Sequence, residues 1–187
     1  MVASPTFLTS AFYDDKIVAI DPGQTGALVS IDADTGDLID CIDMPIVQFS
    51  NSKSKIVDGF VVSKWLEENR PKLICIEMVG ARPAKRYRAA DGEMVAGQGI
   101  ASTFQFGMSY GSVVALSLAF GCQVELVTPS KWKTWMNVLG DKELARQWCL
   151  KRHPNHEHLY RFKKYDGRSD ATVLAEYSRT YVSKNSR

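Results

Sequence analysis

Apolar residues recur along this chain in two periods, and the change from one to the other divides it into elements. The run Ile17-Val18-Ala19-Ile20 is unbroken and stops at Asp21-Pro22-Gly23, which marks a central strand ended by a turn. Residues 27–31 form a second strand, and Asp34-Thr35-Gly36-Asp37 reads as a hairpin turn. Over residues 38–44, Leu38, Asp40 and Ile42 alternate with Ile39, Cys41 and Asp43, the period of a third strand. Residues 56–68 carry Val57, Phe60, Val61 and Leu66 at helical spacing, and Asn69-Arg70-Pro71 ends that helix. Residues 73–76 are a buried strand closed by Glu77, and residues 79–97 are a polar, basic, glycine-containing loop. A long, mostly apolar helix spans 98–120, and a fifth strand spans 123–127. Thr128-Pro129-Ser130 opens a helical region that breaks near Gly140-Asp141 and runs to Arg152. Residues 153–165 read as loop, and 167–181 as a last helix with Ala171, Val173, Leu174 and Tyr177 available for packing.

Three strands joined by tight turns predict an antiparallel meander. The two later strands are reached through helices, and such crossovers favour parallel pairing. The expected fold class is therefore α/β, a mixed five-stranded sheet of three antiparallel plus two parallel strands, flanked by helices. A length of 187 residues suits one domain. Residues 16–181 are assigned to it, 1–15 to an N-terminal extension and 182–187 to a C-terminal tail.

Composition narrows the class without deciding it. Hydrophobic residues at 45% and charged residues at 24% are ordinary for a soluble globular protein. A formal net charge of +2 neither demands nor excludes a nucleic-acid partner, so the arrangement of charge has to decide. Cys41, Cys75, Cys122 and Cys149 are scattered with no C-x-x-C pair. That argues against a zinc site or a disulfide framework and for buried thiols in a reducing, intracellular compartment. No secretory leader is evident at the start of the sequence. The apolar stretch 100–120 contains Ser102, Gln105, Ser109, Ser112 and Ser117, which favours a buried core helix over a membrane span.

Carboxylates carry the candidate chemistry. Asp21 ends the first strand and Glu77 the fourth. In an open α/β sheet, sites form beyond the carboxyl ends of strands where the strand order reverses. Asp166 and Asp170 are four apart at the start of the last helix, hence on one face. Four carboxylates brought together would repel one another unless a divalent cation joined them. Magnesium takes such oxygen ligands, and paired ions can drive phosphodiester hydrolysis. Taken singly, Asp21 also suits a turn and Asp166 a helix cap.

Cations border these acids. Arg82, Lys85, Arg86 and Arg88 follow Glu77, Lys131 and Lys133 flank Trp132, and Arg161, Lys163, Lys164 and Arg168 surround Asp166. Each run suits a solvated face or a phosphate contact. Gln98, Phe104 and Gln105 lie at the start of the long helix, with a core role open for Phe104. His153, His156 and His158 read as a solvated loop rather than a zinc site.

The ordered set of motifs resembles the RuvC-type Holliday-junction resolvases of the RNase H-like superfamily, especially their phage and organelle branch. The matching segments are Ile17-Val18-Ala19-Ile20-Asp21-Pro22-Gly23 with Gly26, Ile74-Cys75-Ile76-Glu77, and Asp166-Gly167-Arg168-Ser169-Asp170-Ala171. Gly97-Gln98-Gly99 with Phe104-Gln105-Phe106-Gly107, Val127-Thr128-Pro129-Ser130-Lys131-Trp132-Lys133 and Asp141-Lys142 add to them. The similarity spans residues 16 to 178. It implies an RNase H-like fold and a homodimer that binds a four-way DNA junction and nicks two strands, with the loop after Glu77 and the start of the next helix near the junction centre, which makes Gln98, Phe104 and Gln105 DNA candidates. It also implies Mg2+ as cofactor, with Mn2+ able to substitute, held by Asp21, Glu77 and Asp170. The fourth acid departs from the bacterial pattern, which places it at the position of Gly167; Asp166 stands four before the last acid, as in the other branch. Three alternatives remain: an RNase H-like nuclease acting on other branched DNA or on RNA–DNA hybrid, a non-catalytic junction-binding protein, and an actin-like ATPase or sugar kinase. The last lacks its second phosphate loop here, and no Walker-type loop is present.

Overall fold

The apolar run Ile17–Ile20 becomes the centre of strand β1 (Asp14–Asp21), and all four of its side chains are inaccessible to solvent. The computed structural model describes residues 13–50, 55–80, 87–88, 94–95 and 99–182. β1 pairs antiparallel with β2 (Ala27–Asp32), and β2 antiparallel with β3 (Leu38–Asp43). On its other side β1 pairs parallel with β6 (Pro71–Glu77), which pairs parallel with β9 (Gln123–Val127). The strand order β3-β2-β1-β6-β9 is the expected mixed five-stranded sheet.

Two cores follow from the two-residue period of the strands. Ile17, Ala19, Val29 and Cys75 face one side and Val18, Ile20, Leu28, Ile74 and Ile76 the other. The first face is covered by α3 (Pro129–Trp135), α4 (Lys142–Arg152), α5 (Glu157–Tyr160) and α6 (Asp166–Tyr177), through Trp132, Cys149, Tyr160, Val173, Leu174 and Tyr177. The second is covered by α1 (Gly59–Asn69) and α2 (Ile100–Phe120), through Val62, Trp65, Leu66 and Val113. α6 is the helix most deeply seated on the sheet; nine of its residues are buried.

Several sequence expectations are corrected. Ile56 and Val57 belong not to a helix but to β5 (Lys55–Val57), hairpinned with β4 (Ile46–Gln48). The helix starts later because Asp58 caps it, accepting from the Phe60 and Val61 N–H groups at 3.1 and 3.2 Å. β1 begins at Asp14, inside the stretch assigned to an extension. Within the loop over 79–97, β7 (Tyr87–Arg88) and β8 (Met94–Val95) form a short hairpin. Residues 153–165 hold α5 and two 3₁₀ turns rather than open loop, and His153 within them is buried.

The largest correction concerns α2. It was expected in the core, yet only Ser109, Val113 and Ser117 of it are buried. Ile100, Phe104, Met108 and Leu118 are 84%, 69%, 45% and 61% exposed. Ser109, Val113 and Ser117 face inward with Tyr110, Val114, Leu116 and Phe120 packed beside them, while Ile100, Phe104, Met108 and Leu118 lie on the outer side. Hydrophobicity alone could not tell which face is which. No described helix is long and apolar enough to cross a membrane.

Candidate active site

Parallel pairing sets Ile20 opposite Ile76, so the next residues, Asp21 and Glu77, leave neighbouring strands side by side. β1 and β6 also flank the point where the strand order turns, since β2 and β3 lie to one side and β9 to the other. The chain after Asp21 folds into a tight turn. The Gly23 N–H donates to the Asp21 carboxylate at 3.3 Å, and the Gly26 N–H to the Gly23 carbonyl at 2.9 Å. A Cβ on Gly26 would lie 2.0 Å from the Asp21 carbonyl oxygen, so only glycine lets the turn close here.

α6 brings the other two acids to this turn. Its second residue, Gly167, packs on the turn so closely that a Cβ would lie 2.3 Å from the Thr25 carbonyl oxygen and 2.7 Å from the Gly26 Cα. Asp166 and Asp170 therefore start and follow the first helical turn at the strand ends. One cleft of about 760 Å³ is lined by Asp21, Glu77, Asp166 and Asp170 together with Lys133, Lys142 and Phe106.

The acids differ in their partners. Lys133 donates to Asp170 at 2.8 Å and Lys142 to Asp166 at 2.6 Å. Glu77, 8% exposed, accepts from the buried Trp132 indole N–H at 3.1 Å. Burial pushes the Asp21 carboxyl up to about 7, and the charges of Glu77 and Asp170 push it the same way. Burial raises Glu77 as well, against the pull of Lys133. Four carboxylates face two ammonium groups, and the cleft keeps an excess of negative charge. Among the described residues no three His, Cys, Asp or Glu side chains stand as a ready-made ion cage. The donor set itself suits a hard cation: it is all oxygen, and its unrelieved repulsion is what a divalent ion would remove.

The DNA candidates scatter more widely. Lys133 lines the cleft. Lys131 sits on the other side of α3, with its ammonium 4.8 Å from the Tyr181 ring. Arg168 forks onto Asp43 at 2.5 and 2.7 Å and lies 3.8 Å from the Tyr165 ring centre. That geometry ties α6 to the end of β3. Lys163 borders a smaller hollow beside the cleft, and Lys164 sits over Phe162 and Tyr165. Arg88 lies in β7, whereas Arg82, Lys85, Arg86 and Gln98 lie outside the described residues. Gln105 is used structurally. Its amide and that of Gln24 donate to the Lys55 carbonyl at 2.6 and 2.7 Å, joining α2 and the site turn to β5. Phe104, 69% exposed, has no core role. His153, His156 and His158 have ring centres 6.3–6.5 Å apart in sequence order, with no metal cage among them.

Sequence reasoning missed Trp132 as the partner of Glu77 and Lys142 as the partner of Asp166. A tryptophan inside a basic run gives no sign that it points inward, and a lysine 24 residues before an acid gives none of contact.

The sequence matches no described protein family, and no curated protein resembles it closely enough to be aligned. Solved structures do match the fold. The chain superposes on the structure titled T. thermophilus RuvC in complex with Holliday junction substrate with a TM-score of 0.57. Identity is 15%, and the match covers 91% of this chain and 96% of that one. A second Thermus thermophilus RuvC structure matches at a TM-score of 0.49 and 14% identity. The fold is RuvC-like, within the RNase H-like architecture.

Proposed function

We propose that the protein is a divalent-metal-dependent endonuclease that resolves four-way DNA junctions as a homodimer. One observation carries the reading. Four carboxylates from three distant segments line a single cleft at the reversal point of a RuvC-like sheet. The likeness to a RuvC solved with a Holliday junction supports the substrate class. The motifs quoted above, rather than the fold, carry the resemblance to the phage and organelle branch.

In this reading Asp21, Glu77, Asp166 and Asp170 would hold Mg2+, or Mn2+ in its place. Bound there, such an ion would supply activation of water and charge relief at the leaving oxygen of the phosphodiester. The chain's own residues prepare the site. The Trp132 indole and the Gly23 N–H each fix one carboxylate oxygen and so orient Glu77 and Asp21. Lys133 and Lys142 limit the repulsion among the acids on the α6 side and stand in the cleft wall, where a phosphate would approach. Lys131, Lys163, Lys164 and Arg168, with Arg82, Lys85, Arg86, Arg88 and Gln98, are proposed to lie along the DNA path. The exposed stripe of α2, with Gly107, Gly111 and Ala115 between Phe104, Met108 and Leu118, supports a second copy as its cover.

The test is substrate profiling. Four-way junction, flap, RNA–DNA hybrid and plain duplex are each incubated with Mg2+ and with Mn2+. Paired nicks in the junction are expected, and chelation should abolish them. Glu77→Gln should bind the junction and lose at least 100-fold in cleavage, the scale of losing a group that acts in the transition state. Preferred cutting of hybrid or flap would move the substrate assignment. Junction binding with no cut under any metal would make the protein a binder alone.

A further inference from the structure

The chain leading into Asp166 carries a surface that the cleft does not use. Arg161, Phe162, Lys163 and Lys164 are all exposed, and Phe162 is 47% so. The Arg161 guanidinium lies 4.7 Å and the Lys164 ammonium 5.7 Å from the Phe162 ring centre. Tyr165 meets Phe162 edge to face at 5.9 Å, and Lys164 also lies over Tyr165 at 4.9 Å. Lys163 faces a hollow of about 210 Å³ shared with Asp141, Lys142, Glu143, Arg146 and Asp166. Its carboxylates are already matched. Glu143 is paired with Arg146, Asp166 with Lys142, and Asp141 caps α4.

A solvent-facing phenyl ring ringed by cations is a poor design for solubility and a good one for a nucleic-acid strand. An unpaired base offers a π-face that takes the place of the cation now over the ring, and its flanking phosphates draw Arg161, Lys163 and Lys164. A paired duplex hides its bases from such a contact. We propose that Phe162, framed by Arg161 and Lys164, is a stacking platform for an unpaired nucleotide beside the strand held in the cleft. The proposal rests on the nuclease reading and adds to it a contact to the open branch point. The 3₁₀ turn Lys163–Tyr165 runs directly into Asp166, so a base held on Phe162 keeps its own strand within a few residues of the acids.

The experiment uses the full chain without activating metal, so that nothing is cut. A four-way junction with 2-aminopurine at the nucleotides flanking the branch point is titrated with protein, alongside a single strand and a plain duplex of matched length. Wild type should quench one branch-point position. Phe162→Ala and Phe162→Leu should lose that quench and bind junction and single strand about ten-fold more weakly, the scale of one lost base stack. Duplex affinity should not change, and Phe162→Trp should keep the quench. The ring is exposed, so circular dichroism of the variants should match wild type. Unchanged quench and affinity in Phe162→Ala, with wild type cutting junctions in Mg2+, would sink this proposal alone. A wild type that neither binds nor cuts branched DNA would sink both it and the nuclease reading.

Discussion

The two halves of the cleft hold their acids in opposite ways. Asp21 and Glu77 leave the ends of adjacent parallel strands, half-buried and buried respectively, with hydrogen-bond donors but, among the described residues, no ion pair of their own. Asp166 and Asp170 leave a helix start, and each is paired with a lysine from α3 or α4. The consequence is visible in the charges. On the sheet side, burial raises both carboxyls and the Asp170 charge adds to each, with Asp21, also repelled by Glu77, reaching about 7. On the helix side the repulsion is met in advance by ammonium groups. Unbalanced charge is thus concentrated at the strand ends. A divalent cation would gain most from the sheet half, and the helix half would complete its shell.

The largest test of that contrast compares one acid from each half. Asp21→Asn should abolish cleavage, with a loss of about 1,000-fold or more, because it removes a fixed carboxylate near the reacting phosphate. Asp166→Asn should cost about 10- to 100-fold, since its Lys142 partner already offsets it. Single-turnover junction cleavage at saturating Mg2+ reads both. Equal losses would erase the distinction between the halves.

The joint between the halves comes next. Gly167→Ala places a methyl group against the Thr25 carbonyl and Gly26, so α6 must move off the β1–β2 turn. Overpacking of this kind costs about 1–3 kcal/mol. Thermal denaturation should show the loss, and cleavage should fall further than stability because the two pairs of acids separate. An unaltered melting temperature would mean that the contact is looser than it stands.

Much of the fold was legible in the sequence. Ile17–Ile20 and Leu73–Ile76 are unbroken apolar runs, and each hands its acid to the strand end, so the three-plus-two sheet and the placing of Asp21 and Glu77 at strand ends followed from pattern alone. The i,i+4 spacing of Asp166 and Asp170 fixed their common face. What stayed hidden depends on tertiary contact. Nothing in the local pattern around Trp132 shows that it turns inward to Glu77, or around Arg168 that it reaches Asp43, 125 residues away. α2 misled for a related reason. A helix apolar on most sides reads as core, and only the fold shows that Ile100, Phe104, Met108 and Leu118 lie on its outer side.

Proton linkage probes the sheet half without mutation. The unfolded chain releases the Asp21 proton near pH 3.9, whereas the folded chain holds it to about 7. Across that window the native state binds more protons, so without divalent metal stability falls as pH rises from about 4 to 7 and levels off above. Melting temperatures in chelator at pH 4.5, 6 and 7.5 should decline in that order after correction with Asp21→Asn. Mg2+ at pH 7.5 should recover the loss. A corrected trend that rises with pH would place the carboxyl below its ordinary value.

The smallest effect belongs to Arg168, and it decides between a strut and a phosphate contact. The guanidinium is 17% exposed and forks onto Asp43, which is 58% exposed, so solvent weakens the pair and its contribution stays below about 1 kcal/mol. Arg168→Lys keeps the charge but loses the fork and the fit over Tyr165. A strut predicts a melting temperature lower by about 2–4 °C at most, with the salt dependence of junction binding unchanged. A phosphate contact tested with Arg168→Gln would instead cut the log–log salt slope by about one unit. Running both variants assigns the residue, because the strut's signature is thermal and the contact's is ionic.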